Sequence, residues 1–318
     1  MRWGIIGAGS IAGKFARALK ITENAEFYAV ASRSREKAAA FAREYGAQVS
    51  YGTYAELAAD PNVEAVYIAT PMSEHFANVQ MCFDNKKPVL CEKSLTVLSS
   101  ETKTLIERAR AEKLFFMEAM WMKCLPTYEK VIEIIKSGII GEIRTIRADF
   151  SQFCPYSEES RLFSKELGGG AYLDLGVYPV TFITSILGYE PKSIMSKCDF
   201  DKNGVERNAL LLMDYGDAYT TSIIGFDIDD DNRAVIVGTK GRIVMGKNFF
   251  CSNTAAVFDI YGNKIIEHFY TFENGFEYEI AEAQQCISEG LLESRKIPLD
   301  DTLKIMEILD KCRNPEQA

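Results

Sequence analysis

Histidine is almost missing from the 318-residue chain, which has two, and its eight cysteines (Cys82, Cys91, Cys124, Cys154, Cys198, Cys251, Cys286 and Cys312) form no CxxC pair. Zinc and related sites need such ligands at short spacings, so no metal is expected. Scattered thiols in a chain of this length also make no disulfide framework and are expected to be reduced core residues. No stretch reads as the roughly 20 apolar residues that cross a bilayer, and the opening MRWGIIGAGSIAG lacks the basic region and apolar run of a signal peptide. The expectation is a cytoplasmic protein with no membrane partner. Positive charge is in deficit as well: a net charge of -9 argues against nucleic acid as a main partner. An anionic cofactor would have to meet local positive charge.

What is present is ordinary globular composition, 47% hydrophobic and 25% charged, in a chain long enough for two domains. RWGIIG at residues 2–7 reads as a short apolar strand, followed by a glycine turn and an amphipathic helix over residues 11–19. AEFYAVAS at 25–32 is a second strand, and REKAAAFAREYG a helix that Gly46 stops. Strands near Val49 and in VEAVYIAT, KPVLCEK and LFFMEAM then alternate with helices in YAELAAD, HFANVQMCFDN and residues 99–112. Such alternation implies a doubly wound parallel sheet with helices on both faces, spanning residues 1–119.

After Pro126 the pattern changes to one helix (127–137), EIRTIRADFSQF, and a glycine-rich helical region over 168–187. A succession of alternating strands joined by short Gly, Asn or Asp turns follows. Residues 120–318 therefore predict an α+β domain with a large, mostly antiparallel open sheet. Its outer face suits a homodimer or higher homo-oligomer. Helices over 276–289 and 301–312 end the chain, the last expected to dock back on a domain.

Gly7-Ala8-Gly9-Ser10-Ile11-Ala12 fits G-x-G-x-x-A between the first strand and first helix. Gly7 permits the tight turn, Gly9 lets backbone approach a pyrophosphate, and Ala12 allows close helix packing, while Ser10 and Ile11 open the helix whose N–H groups face the anion. The N-terminal domain thus reads as a dinucleotide-binding Rossmann fold. A site for NAD usually ends the second strand with a carboxylate for the ribose 2'-OH; here Ser32 and Arg33 stand there, with Arg35 nearby. A hydroxyl and a guanidinium suit a 2'-phosphate, so NADP(H) is preferred and NAD(H) is the weaker alternative. The same residues count against an S-adenosylmethionine methyltransferase. Ala69-Thr70-Pro71 and Cys91-Glu92-Lys93 end the fourth and fifth strands, where open α/β sheets bind ligands. Beside a cationic nicotinamide, Lys93 suits a proton handler or carbonyl polariser; on spacing alone it is equally a surface ion-pair residue.

Five blocks in order carry a wider likeness: GIIGAGSIA, ATPMSEH (69–75), CEKSLT (91–96), MEAMWMKCLP (117–126) and ELGGGAYLDLGVYPV (166–180). Together they resemble the glucose-fructose oxidoreductase, inositol dehydrogenase and rhizopine-catabolism (Gfo/Idh/MocA) family. The branch they resemble contains dimeric dihydrodiol dehydrogenase and NADP-dependent D-xylose dehydrogenase. The resemblance implies Lys93, Asp174 and Tyr178 as catalytic residues. Tyr178 would exchange the proton with the substrate oxygen, helped by Lys93 to ionise a phenol whose free pKa is near 10, and Asp174 would orient the hydroxyl. It further implies that Glu92 and Thr70 line the nicotinamide ribose, with Pro71 and His75 beside the cofactor, His75 more as a cap or brace of the following helix than as a chemical group. Gly168, Gly169 and Gly170 would let backbone approach nicotinamide or substrate. Trp121, Phe153 and Arg161 are substrate candidates.

Two departures stand out. Ser94 replaces the proline many relatives carry after the lysine, and Lys123-Cys124 stands where the branch has Arg and Phe. The function implied is hydride transfer between NADP(H) and a CH-OH or C=O carbon of a small sugar, polyol or dihydrodiol. The alternative is a non-catalytic NADP(H)-sensing regulatory protein.

Overall fold

The computed structural model describes residues 1–313 and divides the chain into two compact units, Met1–Cys124 with Glu273–Leu303, and Leu125–Phe272 with the chain from Lys304. The first unit opens with β1 (Arg2–Ile6), α1 (Ser10–Leu19), β2 (Glu26–Ala31), α2 (Arg35–Tyr45), β3 (Val49–Tyr51) and α3 (Tyr54–Ala59). It continues through β4 (Ala65–Ile68), α4 (His75–Asp84), β5 (Val89–Glu92), α5 (Ser99–Glu112) and β6 (Phe116–Ala119). The six strands form one parallel sheet in the order β3-β2-β1-β4-β5-β6.

Every residue of β4, β5 and β6 is buried, as expected where helices cover both faces. Ile6, Val66, Ile68, Leu105 and Phe116 belong to one core cluster. Gly46 ends α2 at φ 89°, and Thr53 with Glu56 closes a capping box on α3. The strand order reverses between β1 and β4, which puts the ligand crevice at the carboxyl ends of those strands.

The second unit holds α6 (Pro126–Lys136), β7 (Ile143–Ala148), β8 (Phe150–Ser151) and α7 (Val177–Leu187). Its later strands are β9 (Ser193–Phe200), β10 (Glu206–Asp214), β11 (Tyr219–Gly225), β12 (Ala234–Gly238), β13 (Gly241–Met245), β14 (Thr254–Asp259) and β15 (Lys264–Phe269). They line up as β15-β14-β13-β12-β7-β11-β10-β9, antiparallel except at β7–β11, with β8 also parallel beside β11. Burial alternates along these strands: Ala209, Leu211 and Met213 of β10 are buried while Leu210 between them is exposed. One face therefore packs inward and the other is open.

Two expectations need correction. The segment Lys165–Leu187 is long and apolar enough, by length and composition, to cross a membrane, although no such stretch was expected. Its apolar window is 78% buried inside the protein, so its hydrophobicity serves the core. The division at residue 119/120 is also too simple, because the first unit recovers Glu273–Leu303. The reason lies in α8 (Phe276–Ser288), whose Phe276, Ile280 and Ala283 are buried. Trp3 Nε1 donates to Gln284 Oε1 at 3.2 Å, Phe116 N donates to Leu292 O at 3.0 Å, and Trp121 stacks on Phe276 at 4.9 Å. The last helix, α9 (Leu299–Arg313), gives its first turn to the first unit and its remainder to the second.

Candidate active site

The turn between β1 and α1 has the geometry a dinucleotide needs. Gly7 adopts φ 101°, and a Cβ there would lie 2.6 Å from the carbonyl oxygen of Ala69, so both backbone angle and packing demand glycine. Gly9 is different: its backbone is extended and an added Cβ would meet no protein atom within 4 Å. Nothing inside the protein asks for glycine at Gly9, but a pyrophosphate lying over the start of α1 would. Gly9 caps α1 without a side-chain bond and no acidic residue occupies the first turn, which leaves N–H groups to an anion. Ser10 is exposed at this rim, Ile11 half-buried, and Ala12 fully buried.

At the end of β2, Ser32 is buried and its hydroxyl accepts the Ser34 N–H at 3.4 Å. Arg35 is drawn to Glu56 at 3.3 Å, whereas Arg33 is exposed and close enough to Tyr54 to favour ionisation of that phenol. Arg33 is therefore an exposed guanidinium just past the end of β2, and no carboxylate ends the strand.

Beyond β4 and β5, buried side chains fix the backbone. Tyr67 stacks on Phe15 at 3.6 Å and donates its hydroxyl to Glu92 Oε1, while Glu92 Oε2 accepts the Lys93 N–H at 3.2 Å. Burial, then the neighbouring Glu92 carboxylate, pushes the Tyr67 phenol well above its ordinary range, so it stays a donor. Lys93 is half-buried, and its peptide with Ser94 is cis.

His75 joins the two strand ends. Its Nε2 lies 3.0 Å from Thr70 O, and its Nδ1 lies 3.2 Å from both Ser94 O and Leu95 O. Burial lowers its pKa to about 4, against the pull of these carbonyls and with some help from Lys93. As a neutral ring His75 has a single N–H, and with that proton on Nδ1 it braces the loop after Lys93 through the Ser94 and Leu95 carbonyls. Thr70 Oγ1 accepts from Asn78 at 3.1 Å, and Pro71 begins a single 3₁₀ turn, Met72–Glu74.

In the second unit, the glycine-rich region is more varied than one helix. Gly168 turns at φ 76° and Gly170 at φ 123°, and a Cβ at Gly169 would strike the carbonyls of Arg161 and Leu162 at 2.6 Å. A π-helical turn, Tyr172–Gly176, then leads into α7. Asp174 sits in that turn with its Oδ1 3.1 Å from Arg161 Nη2, so the two residues form one charged pair. Tyr178 lies on α7, 6% exposed, with its ring against Phe150 at 5.4 Å and Phe250 at 5.1 Å. Phe153 is 60% exposed. Trp121 belongs to the first unit, where its ring stacks on Phe276.

Three buried acidic or phenolic groups escape a reading by motif: Tyr67, Glu118 and Glu279. The signal for each is a polar residue in an apolar pattern, Tyr67 within AVYI, Glu118 within FMEA, and Glu279 between Phe276 and Ile280 on the core side of α8. Glu279 is 0% exposed with neither carboxylate oxygen hydrogen-bonded, and burial, then Glu92, holds its carboxyl well above the usual range. Glu118 accepts the Leu95 N–H at 3.2 Å and the Thr302 hydroxyl at 3.0 Å.

Comparison with known proteins agrees with this architecture. Residues 1–120 match the oxidoreductase family model with an NAD-binding Rossmann fold, and residues 128–244 match the GFO/IDH/MocA C-terminal domain. The chain is 33% identical over 324 residues to the trans-1,2-dihydrobenzene-1,2-diol dehydrogenase of Xenopus tropicalis, covering 98% of this chain and 96% of the relative. The human enzyme of the same name is 30% identical with the same coverage. Among solved structures, the 3-ketoreductase KijD10 of Actinomadura kijaniata, in complex with NADP and TDP-benzene, has a TM-score of 0.89 at 24% identity, over 99% of this chain and 97% of that one. The aldose-aldose oxidoreductase of Caulobacter crescentus has a TM-score of 0.88 at 21% identity, over 99% and 98%. These proteins are named as dehydrogenases, reductases and oxidoreductases, which tells against a non-catalytic nucleotide sensor. With both of its domains matched in order and relatives aligned end to end, the chain belongs to the GFO/IDH/MocA oxidoreductase family.

Proposed function

We propose that this chain is an NADP(H)-dependent dehydrogenase acting on a CH-OH or C=O carbon of a small dihydrodiol, sugar or polyol. When bound, the nicotinamide supplies or accepts the hydride. Tyr178 exchanges the proton with the substrate oxygen, and Lys93 serves as the catalytic cation. Asp174, held by Arg161, orients the neighbouring hydroxyl. Glu92 and Thr70 line the nicotinamide ribose, and Pro71 and the His75 brace keep that segment in place. Phe153, an exposed aromatic ring, is a substrate-contact candidate and Trp121 is a second, each suited to a ring substrate and in keeping with relatives named for a dihydrobenzene diol.

The observation that carries the cofactor assignment is the end of β2, where Ser32 and exposed Arg33 stand in place of a carboxylate. Titrating intrinsic fluorescence with NADPH and NADH tests it in the native protein and in Arg33→Ala. Tighter binding of NADPH, with that preference reduced by about tenfold in the variant, is the expected result. Equal losses for the two cofactors would overturn the NADP assignment. Turnover is then followed through the absorbance of the reduced cofactor with a trans-dihydrodiol and with D-xylose.

The same proposal places the enzyme in the cytoplasm as a homodimer. Eight cysteines outside any disulfide, five of them buried, suit a reducing compartment. The open face of the large sheet presents Met195, Leu210, Tyr219 and Ile223, each 44% exposed or more, with Leu210 directly across from Ile223. A twin subunit would cover this apolar patch.

A further inference from the structure

Glu118 is a buried carboxyl, hydrogen-bonded on both oxygens, that the proposed chemistry leaves unused. It lies on β6 and is 1% exposed, in register with Cys91 of β5, two residues before Lys93. One carboxylate oxygen accepts the N–H of Leu95 at 3.2 Å, and the other accepts the hydroxyl of Thr302 on α9 at 3.0 Å. The Leu95 carbonyl lies 3.2 Å from His75 Nδ1, so the Nδ1–H tautomer of the neutral ring holds the second backbone polar group of Leu95 as well. Two buried side chains on separate elements thus fix the backbone two residues beyond the lysine.

The charges around Glu118 come from every side. Lys93 faces it from the loop, and Lys123 faces it from the 3₁₀ turn Trp121–Cys124, itself 3.5 Å from Asp301 on α9. Cys91 is a buried thiol, its pKa raised by burial, and His75 is the neutral brace already described.

We propose that Glu118 is a positioning residue for Lys93, holding the 93–96 loop through Leu95 and setting a buried negative charge opposite the lysine. The inference rests on the catalytic reading of Lys93 given above. As a carboxylate, Glu118 accepts both hydrogen bonds and attracts both ammonium groups. Once protonated, it loses that attraction, and one of its acceptor sites becomes an O–H donor. Burial pushes its carboxyl up to about 7, while the Thr302 hydroxyl, the Leu95 N–H, Lys123 and Lys93 pull the other way. Its change of charge therefore falls in the neutral range, and turnover should decline as pH drops through about 7.

The test compares kcat against pH for the native enzyme, Glu118→Gln, Thr302→Val and Lys93→Met, with NADPH affinity measured alongside. Glu118→Gln should keep its NADPH affinity, lose about tenfold in kcat at pH 8 through a misplaced lysine, and lose the acidic limb. Thr302→Val removes a bond that favours the charged form and leaves the strand intact, so it should move the acidic limb to higher pH even if Glu118→Gln folds poorly. Inactive Lys93→Met combined with native kcat and native pH profiles in both other variants would overturn the role of Glu118 alone. Native turnover in Lys93→Met would overturn the catalytic reading and this inference with it.

Discussion

The two sheets solve opposite problems. Strands β4 to β6 are buried on both faces, so an internal polar group must be satisfied inside the protein, as Tyr67 is by Glu92 and Glu118 is by Leu95 and Thr302. The large sheet is buried on one face only, and its other face carries exposed apolar side chains beside surface pairs such as Arg147–Asp149 and Lys264–Glu267. The residues proposed for function follow the same split: those of the first unit stand where strands end and backbone becomes available, and those of the second stand on the π-turn and α7, where Asp174 pairs with Arg161 and Tyr178 packs against Phe150 and Phe250. A doubly covered sheet lends rigidity to loops, and a singly covered one leaves a face for association.

The contrast can be broken at several points. Phe116→Ala, in the middle of the doubly covered sheet at 0% exposure, should cost about 4 kcal/mol in a denaturant titration. Less than about 1 kcal/mol would mean that this sheet repacks freely.

The next effect concerns His75. Its folded pKa of about 4 lies below the ordinary 6.5, so the unfolded chain binds the extra proton between those values. The contribution is complete above pH 6.5 and is lost as pH falls through about 4, on the order of 3 kcal/mol over the full window. Glu118 works in the opposite sense, costing stability as pH rises from its ordinary 4.5 to about 7. Denaturant midpoints of native protein and His75→Gln at pH 5 and pH 7.5 separate the two, because the variant should lose less on acidification. Equal losses would mean that the ring is not buried neutral.

On the other unit, Tyr178→Phe should keep NADPH affinity and cut turnover by about a hundredfold, near 2.7 kcal/mol of barrier. Near-native turnover would hand the proton to another group. The smallest change in folding energy belongs to the open face, where Leu210→Glu should alter subunit stability by about 0.5 kcal/mol or less. Sedimentation should nevertheless show monomers, and an unchanged dimer would place the interface elsewhere.

Much of this was legible in residue order. Alternating apolar strands and helices define the parallel sheet, and the glycine turn marks its ligand end, because period and backbone freedom are local properties. The strands of the second sheet were equally plain from their period of two. The membership of α8 was not, since Phe276, Ile280 and Ala283 form an apolar stripe that could face either unit, and long-range contacts such as those to Trp3, Glu23 and Trp121 decide it. Pairings such as Arg161 with Asp174, or Glu118 with Thr302, join residues 13 and 184 positions apart. Local pattern carries no information about them. The π-turn at Tyr172–Gly176 was hidden too, because composition there looks helical and gives no account of which hydrogen-bond step the helix takes.

The discontinuity of the first unit has a consequence for how the protein is made. Its strands leave the ribosome early, but α8, which supplies Phe276, Ile280 and Ala283 to its core, follows only after Leu125–Phe272 has been synthesised. At about 5–20 residues per second that delay is roughly 7–30 s, during which Trp3 and Phe116 have no native cover from that side. The nucleotide-binding unit begins first but is completed only after most of the second unit has been made, so a nascent chain stalled before residue 276 would hold an unfinished cofactor domain.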